Sequence, residues 1–146
     1  MATTGSVTVN GVEAMLRNLG KYGEGARKLA AAALYQEGLV IMADSKDNFV
    51  PVDQGVLKST GHVDAPVTKG STTSVTLGYG GPAAPYALAI HENPRAGKTG
   101  GVSPSGKPYK HWATVGGWKY LETPFMNAAK DLAARLAARL SRISVK

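Results

Sequence analysis

The sequence predicts an α+β fold, a small antiparallel sheet packed with a long N-terminal helix and a C-terminal helix. Three observations predict it. Residues 26–49 form an alanine-rich run without proline, a strong helix signal. Residues 61–69 and 72–79 are β-branched and alternating, and Lys69-Gly70-Ser71 between them supplies a turn, so the pair reads as a hairpin. Near the end, Thr123 suits an N-cap and Pro124 a first helical position. They open a helix whose Leu132, Leu136, Leu140 and Ile143 form a seam at helical spacing.

Taken in order, residues 7–19 carry a short helical pattern from near Asn10, with Val12, Met15, Leu16 and Leu19 on one face. Gly20, Gly23 and Gly25 loosen the chain before the long helix. There Leu34, Tyr35, Leu39, Val40, Ile41 and Met42 spread over more than one face. Such a helix is central in its domain or is shared with a neighbouring subunit. Pro51 stops it, lacking an amide proton and clashing with the turn before it. Asp53 then reads as an N-cap, worth about 1 kcal/mol, opening a short turn through Gly55 and Leu57. After the hairpin, Gly78-Tyr79-Gly80-Gly81-Pro82 punctuates the chain, and residues 85–91 read as a third strand or a strand passing into a turn. Residues 93–117 are a long connection, with a flexible tip expected over 95–108 and an ordered return from Tyr109. In the last helix Arg135, Arg139 and Arg142 each precede a seam residue and form a stripe about 100° away.

A chain of 146 residues suits one domain, and its 43% apolar content suffices for a core. With no cysteine there is neither a disulfide framework nor a thiolate metal site, which fits a reducing compartment. No apolar run reaches membrane-spanning length, and residues 1–6 lack the features of a signal peptide. The net charge of +7 favours phosphate or acidic protein surfaces as partners without specifying a fold.

Chemistry-bearing motifs are sparse. His91-Glu92, with Asp53 and His111 as conceivable partners, lacks metal-ligand spacing, and the pair reads as closing a strand end by hydrogen bonding. Gly78-Tyr79-Gly80-Gly81 has no following Gly-Lys-Ser/Thr and opens no helix. No catalytic, metal or cofactor site is therefore expected, and no enzymatic function. Tyr120 is expected in the core. Trp112 and Trp118 are left between core caps and interface anchors.

Three segments together carry a resemblance. They are Pro51-Val52-Asp53-Gln54-Gly55-Val56-Leu57, Tyr86-Ala87-Leu88-Ala89-Ile90-His91-Glu92 and Lys119-Tyr120-Leu121-Glu122-Thr123-Pro124. In this order and followed by a helix, they resemble the small tail-completion family of long-tailed bacteriophages, which includes the tail completion proteins of lambda-like phages. The resemblance runs from about Ala31 to Leu140, and residues 93–117 depart from it in length and in Gly and Lys content. It implies a virion protein of the neck or upper tail, assembled in the host cytoplasm, working as a homo-oligomeric and by usual tail symmetry six-fold ring. The implied partners are further copies, the head–tail connector and the tail tube or terminator proteins. It gives Pro51, Asp53, Gly55, Leu57, Tyr86, His91, Glu92, Tyr120, Leu121 and Glu122 an architectural role. Arg95, Lys98, Lys107, Lys110, Arg135, Arg139 and Arg142 are then candidates for contact with a partner or, without sequence specificity, with passing double-stranded DNA. The neighbouring roles are tail terminator and head-closure stopper. From a different class, the charge alone is compatible with a basic DNA-binding protein, and a hydrolase built on His91 and Glu92 ranks last.

Overall fold

The alanine-rich run forms α1, Glu24–Asp44, and passes without a break into one π-helical turn, Ser45–Phe49. The Val50 N–H closes that turn on the Ser45 carbonyl at 2.8 Å. Val50 is already extended, as the residue before a proline must be, and Pro51 ends the helix as the sequence requires. This computed structural model describes residues 23–98, 100–102, 105–109, 113 and 115–144. The helix expected within 7–19, together with Lys110, His111 and Trp112, lies outside them.

α2 (Val56–Ser59) is followed by β1 (His62–Val63), β2 (Val67–Lys69), β3 (Thr72–Ser74) and β4 (Leu77–Gly78). These four make the expected hairpin in two antiparallel ladders. β2 and β3 pair Val67 with Ser74 and Lys69 with Thr72, while β1 and β4 pair His62 with Gly78 and Val63 with Leu77. Between the ladders three residues, 64–66, oppose two, 75–76. That extra residue is a bulge, and it accommodates Pro66, which has no amide to give to a ladder. The hairpin lies close on α1 because residue 38 has no side chain. A Cβ on Gly38 would stand 3.2 Å from both Val63 and Val75.

On another side of α1 packs α5 (Leu132–Ser144), whose Leu132 and Leu136 share a buried cluster with Ala33. Leu34, Ala133 and Leu140 close over it. A second core cluster of Val50, Leu57, Ala84, Ala87 and Tyr120 sits beyond the end of α1. The fold is α+β: helices at both ends of the chain and small antiparallel ladders between them.

Some local expectations are corrected. Asp53 is exposed and caps nothing: α2 is entered through Gly55, in the left-handed region at φ 83°, with no side-chain cap. Residues 85–91 contain α3 (Ala87–His91), not a strand. Ala84 and Ala87 are buried and Ile90 packs against them, a spacing of three, and alanine favours the helix that this spacing describes. The stretch 95–98, at the start of the expected flexible tip, forms turns. Ala96 and Gly97 are buried in successive turns, and Ala113 N–H donates to the Gly97 carbonyl at 3.2 Å. Further out, β5 (Gly101–Val102) and β6 (Pro108–Tyr109) form a short ladder, so the return does begin as a strand.

The C-terminal helix is divided into α4 (Glu122–Ala129) and α5, separated at Lys130 and Asp131. Leu121 stands at the N-cap, which puts Thr123 and Pro124 inside α4. Pro124 in a first turn removes only an amide that has no helical acceptor, so the helix tolerates it there.

Gly116 is the most constrained glycine. It combines φ 87° with backbone so close that a Cβ would collide with the Phe49 carbonyl oxygen and Val50. A melting series should therefore order three variants. Gly116→Ala is expected to cost most. Gly55→Val, with open space around it, should cost about 1–2 kcal/mol for the left-handed backbone alone. Asp53→Ala should fall within about 0.5 kcal/mol of the parent. A midpoint drop for Asp53→Ala equal to that of Gly55→Val would restore Asp53 as a cap.

Candidate functional site

The π-helical turn begins at Ser45, which continues the buried face of α1 formed by Gly38, Ile41 and Met42. Ser45 is fully buried, and its Oγ donates to the Tyr120 carbonyl at 2.6 Å. A hydroxyl has one proton, so the 2.8 Å contact between Ser45 Oγ and Tyr79 is made by the Tyr79 O–H donating. Tyr120, 2% exposed, donates its own O–H to the Ala87 carbonyl at 2.6 Å. Its ring meets Tyr79 and His91 edge to face, with centroids 5.0 and 4.9 Å away. Burial pushes the Tyr79 hydroxyl up to about 12, with the Ser45 bond pulling the other way, and burial raises Tyr120 as well.

Above this buried node lies a charged rim. Lys119 is the one non-glycine residue at positive φ among those described, at 55°. Its N–H donates to the His91 carbonyl at 2.8 Å, while its ammonium sits 2.8 Å from carboxylate oxygens of both Glu92 and Glu122. His91 Nδ1 lies 2.7 Å from Glu92 Oε1, and Nε2 faces the Glu122 N–H at 3.3 Å. An acceptor at Nε2 makes Nδ1 the protonated nitrogen, donating to Glu92. Hydrogen bonds from Lys119 and then His91 hold the Glu92 carboxyl below the ordinary carboxylate range. Bonds to Glu122 and then Glu92 raise Lys119. Ligand atoms of His91, Glu92 and Glu122 come within 4.8 Å of one another, a set that could hold a metal ion. The Lys119 ammonium already places a positive charge on both carboxylates, so a metal would have to displace it.

A second charged centre was missed in the sequence. Glu37, 1% exposed, points from α1 toward α5. Arg139 Nε donates to its Oε1 at 2.6 Å. Arg135 Nε stands 3.0 Å from Oε2 but off the hydrogen-bond direction, so that contact is Coulombic. Arg135 also reaches Asp131 at 3.2 Å. The signal was available: Glu37 is the only acid between Glu24 and Asp44, and Arg135 and Arg139 are spaced i, i+4.

The three segments that carry the family resemblance thus meet in one place. Pro51 and Leu57 are buried, and Leu121 packs against the second core cluster, as does Tyr120 within it. His91, Glu92, Lys119 and Glu122 build the rim, and Gly117 N–H bonds back to Phe49 at 3.0 Å. Tyr86 and Trp118 are exposed beside the node. Asp53 stays apart from it. His91 and Glu92 do engage in hydrogen bonds, but at the end of a helix. Of the arginine stripe, Arg135 and Arg139 pair with Glu37 while keeping 36% and 37% of their side-chain surface accessible, and Arg142 is exposed. Arg95, Lys98 and Lys107 are exposed. No helix among the described residues is long and apolar enough to cross a membrane. No family model, curated protein or solved structure matches this chain.

The arginines keep partial access to water while Glu37 does not, which ranks the variants of this centre. Arg135→Ala with Arg139→Ala should cost roughly 3–5 kcal/mol, because a buried carboxylate loses its counter-charge. Glu37→Met should cost less, since the freed guanidinium groups can turn to solvent. Urea titrations of both would decide, and the reverse order would mean that the carboxylate is not the critical partner.

Tyr79 gives a prediction in pH. The folded state holds its proton more tightly than the unfolded chain, so this stabilisation is complete below pH 10.0 and is lost as pH rises through about 12. Tyr79→Phe should remove that alkaline loss, and absorbance titration of the tyrosines should lose part of its late-titrating signal. A profile unchanged by the substitution would place the alkaline transition elsewhere.

Proposed function

We propose that this chain is a structural protein of a long-tailed bacteriophage virion, placed at the head–tail junction or the top of the tail. Copies form a homo-oligomeric ring around the DNA channel and complete the tail or join it to the head. The observation that carries the reading is the convergence of the three resembling segments, far apart in sequence, on the single node around Ser45 and Tyr120. Within that node the polar groups answer one another: hydroxyl to carbonyl, imidazole to carboxylate, ammonium to two carboxylates. Such an arrangement fixes a shape, as docking requires, and the role needs no catalysis.

Around the node stand exposed large apolar side chains, Val52, Val56, Tyr86, Leu88 and Trp118. Each lies within two residues of a node or core residue, so its backbone is anchored there. Rigid aromatic and aliphatic groups on a surface suit a subunit or connector contact. The charge of +7, with Lys98 and Arg142 exposed, suits non-specific proximity to DNA phosphates. Tail terminator and head-closure stopper are neighbouring roles within the same reading.

Electron microscopy of the purified chain should show closed rings, and cryo-electron microscopy of virions should place density for it at the neck or upper tail. A phage lacking the gene should accumulate unjoined heads and tails. Absence of the chain from mature particles would remove the reading. Tight DNA binding by the free chain at physiological salt, with a steep salt slope, would favour a DNA-binding role outside the virion.

A further inference from the structure

Among the described residues, α1 is covered on two sides and open on a third. Ala33 and Glu37 face α5, and Gly38 faces the hairpin. Lys28, Leu29, Ala32, Gln36, Leu39, Val40 and Ala43 are all exposed. At 100° per residue they share one arc of roughly 120°. From Leu29 to Ala43 this solvent face carries no charge, and Leu29 and Val40 are 41% and 48% exposed. Solvent faces of helices are ordinarily charged, so an apolar stripe of four turns is a surface made for a partner.

We infer that the partner is α1 of a second copy, packed antiparallel about Gln36. Two features of the stripe select this occupant. The first is size. Around Gln36 the middle of the stripe reads Leu29, Ala32, Gln36, Val40, Ala43, with Leu39 at its edge, so a two-fold axis there sets Leu29 over the other copy's Ala43 and Ala32 beside its Val40, large against small. The second is charge. The stripe begins at Lys28 and ends beside Asp44, so antiparallel packing about Gln36 brings Lys28 of each helix opposite Asp44 of the other. Parallel packing would set like ends together. At the axis the two Gln36 amides meet, and each can donate to and accept from the other.

The contact is small. A strip about 22 Å long and one helix wide is well below the area of a permanent dimer, so in isolation the pairing is transient. It does not rest on the neck reading. A two-fold contact cannot close a ring, and it is distinct from any contact that does.

The chain has no cysteine, so a single engineered thiol reports cleanly. Gln36→Cys, oxidised mildly, should give a disulfide-linked dimer, because residues at a two-fold axis of close helices come within bridging distance. Lys69→Cys, also exposed and beside the hairpin turn, serves as the control and should remain monomeric at the same concentration. Adding Val40→Asp to Gln36→Cys should slow the crosslinking at least roughly tenfold by putting a charge in the contact. A circular-dichroism melt of that double variant should match the parent, since Val40 is half exposed. Gln36→Cys that crosslinks no faster than Lys69→Cys overturns the pairing, whether residues before Gly23 or another protein cover the stripe. Crosslinking indifferent to Val40→Asp overturns it as well. Rings seen by microscopy while Gln36→Cys stays reduced would leave the neck reading standing and remove this one alone.

Discussion

The carboxylate of Glu37 joins the two ends of the chain. Its partners Arg135 and Arg139 lie on the last helix, and the Arg139 bond spans 102 positions of sequence. An acid buried to 1% exposure is tolerable only where counter-charge is delivered to it. That requirement dictates the path of the C-terminus. The helix must divide at Lys130 and Asp131 so that α5 can run back along α1 with Leu132 and Leu136 against Ala33. The apolar seam supplies most of the packing, and the charge adds to its register: sliding α5 by one turn would leave Glu37 with a single arginine instead of two.

The opposite end of α1 is held by different physics. Ser45 and Tyr120 use neutral hydrogen bonds, each with a carbonyl acceptor inside the second core cluster. Neutral partners avoid the desolvation cost of ions, so this node can be more completely closed than the Glu37 centre. The charged groups of the node, Glu92, Lys119 and Glu122, stay at its rim. The backbone of Lys119 sits in the left-handed region, a strained position for a residue with a side chain. Its bonds to His91 and to two carboxylates offset that strain.

How far the sequence disclosed this depends on whether a feature is local. The long helix, the hairpin with its turn at Gly70, the stop at Pro51, the left-handed Gly55 and the seam of α5 are properties of adjacent residues and were legible. The helix at 87–91 was not, because Ala87-Leu88-Ala89-Ile90 alternates like a strand and also repeats at three. Only its contacts with Tyr120 and Ala84 decide between the two periods. Asp53 stood where a cap belongs, but Gly55 entered the left-handed region and started the helix without it. The burial of Ala96 and Gly97 follows from the return of Gly116 past Phe49, a long-range contact that composition hides. Arg135 and Arg139 appeared as a surface stripe because their partner is a hundred residues away. The node needed all three segments at once, and the family resemblance was the one sequence signal that grouped them.

Symmetry connects these centres to the proposed role. A ring closes only through a heterologous contact, in which one face of a protomer meets a different face of the next. In the proposed ring, the apolar groups flanking the node would provide one such face, anchored beside Pro51, Ala87 and Tyr120. The outward stripe of α1 is of another kind, nearly matching itself when turned about Gln36. A protein carrying both kinds of surface can build a ring with the first and pair protomers with the second. Because α1 is fixed by Glu37 at one side and by Ser45 at its end, the two surfaces have a set orientation with respect to each other. Contact at one therefore positions the other, which is what an assembly needs from a part that mates two larger ones.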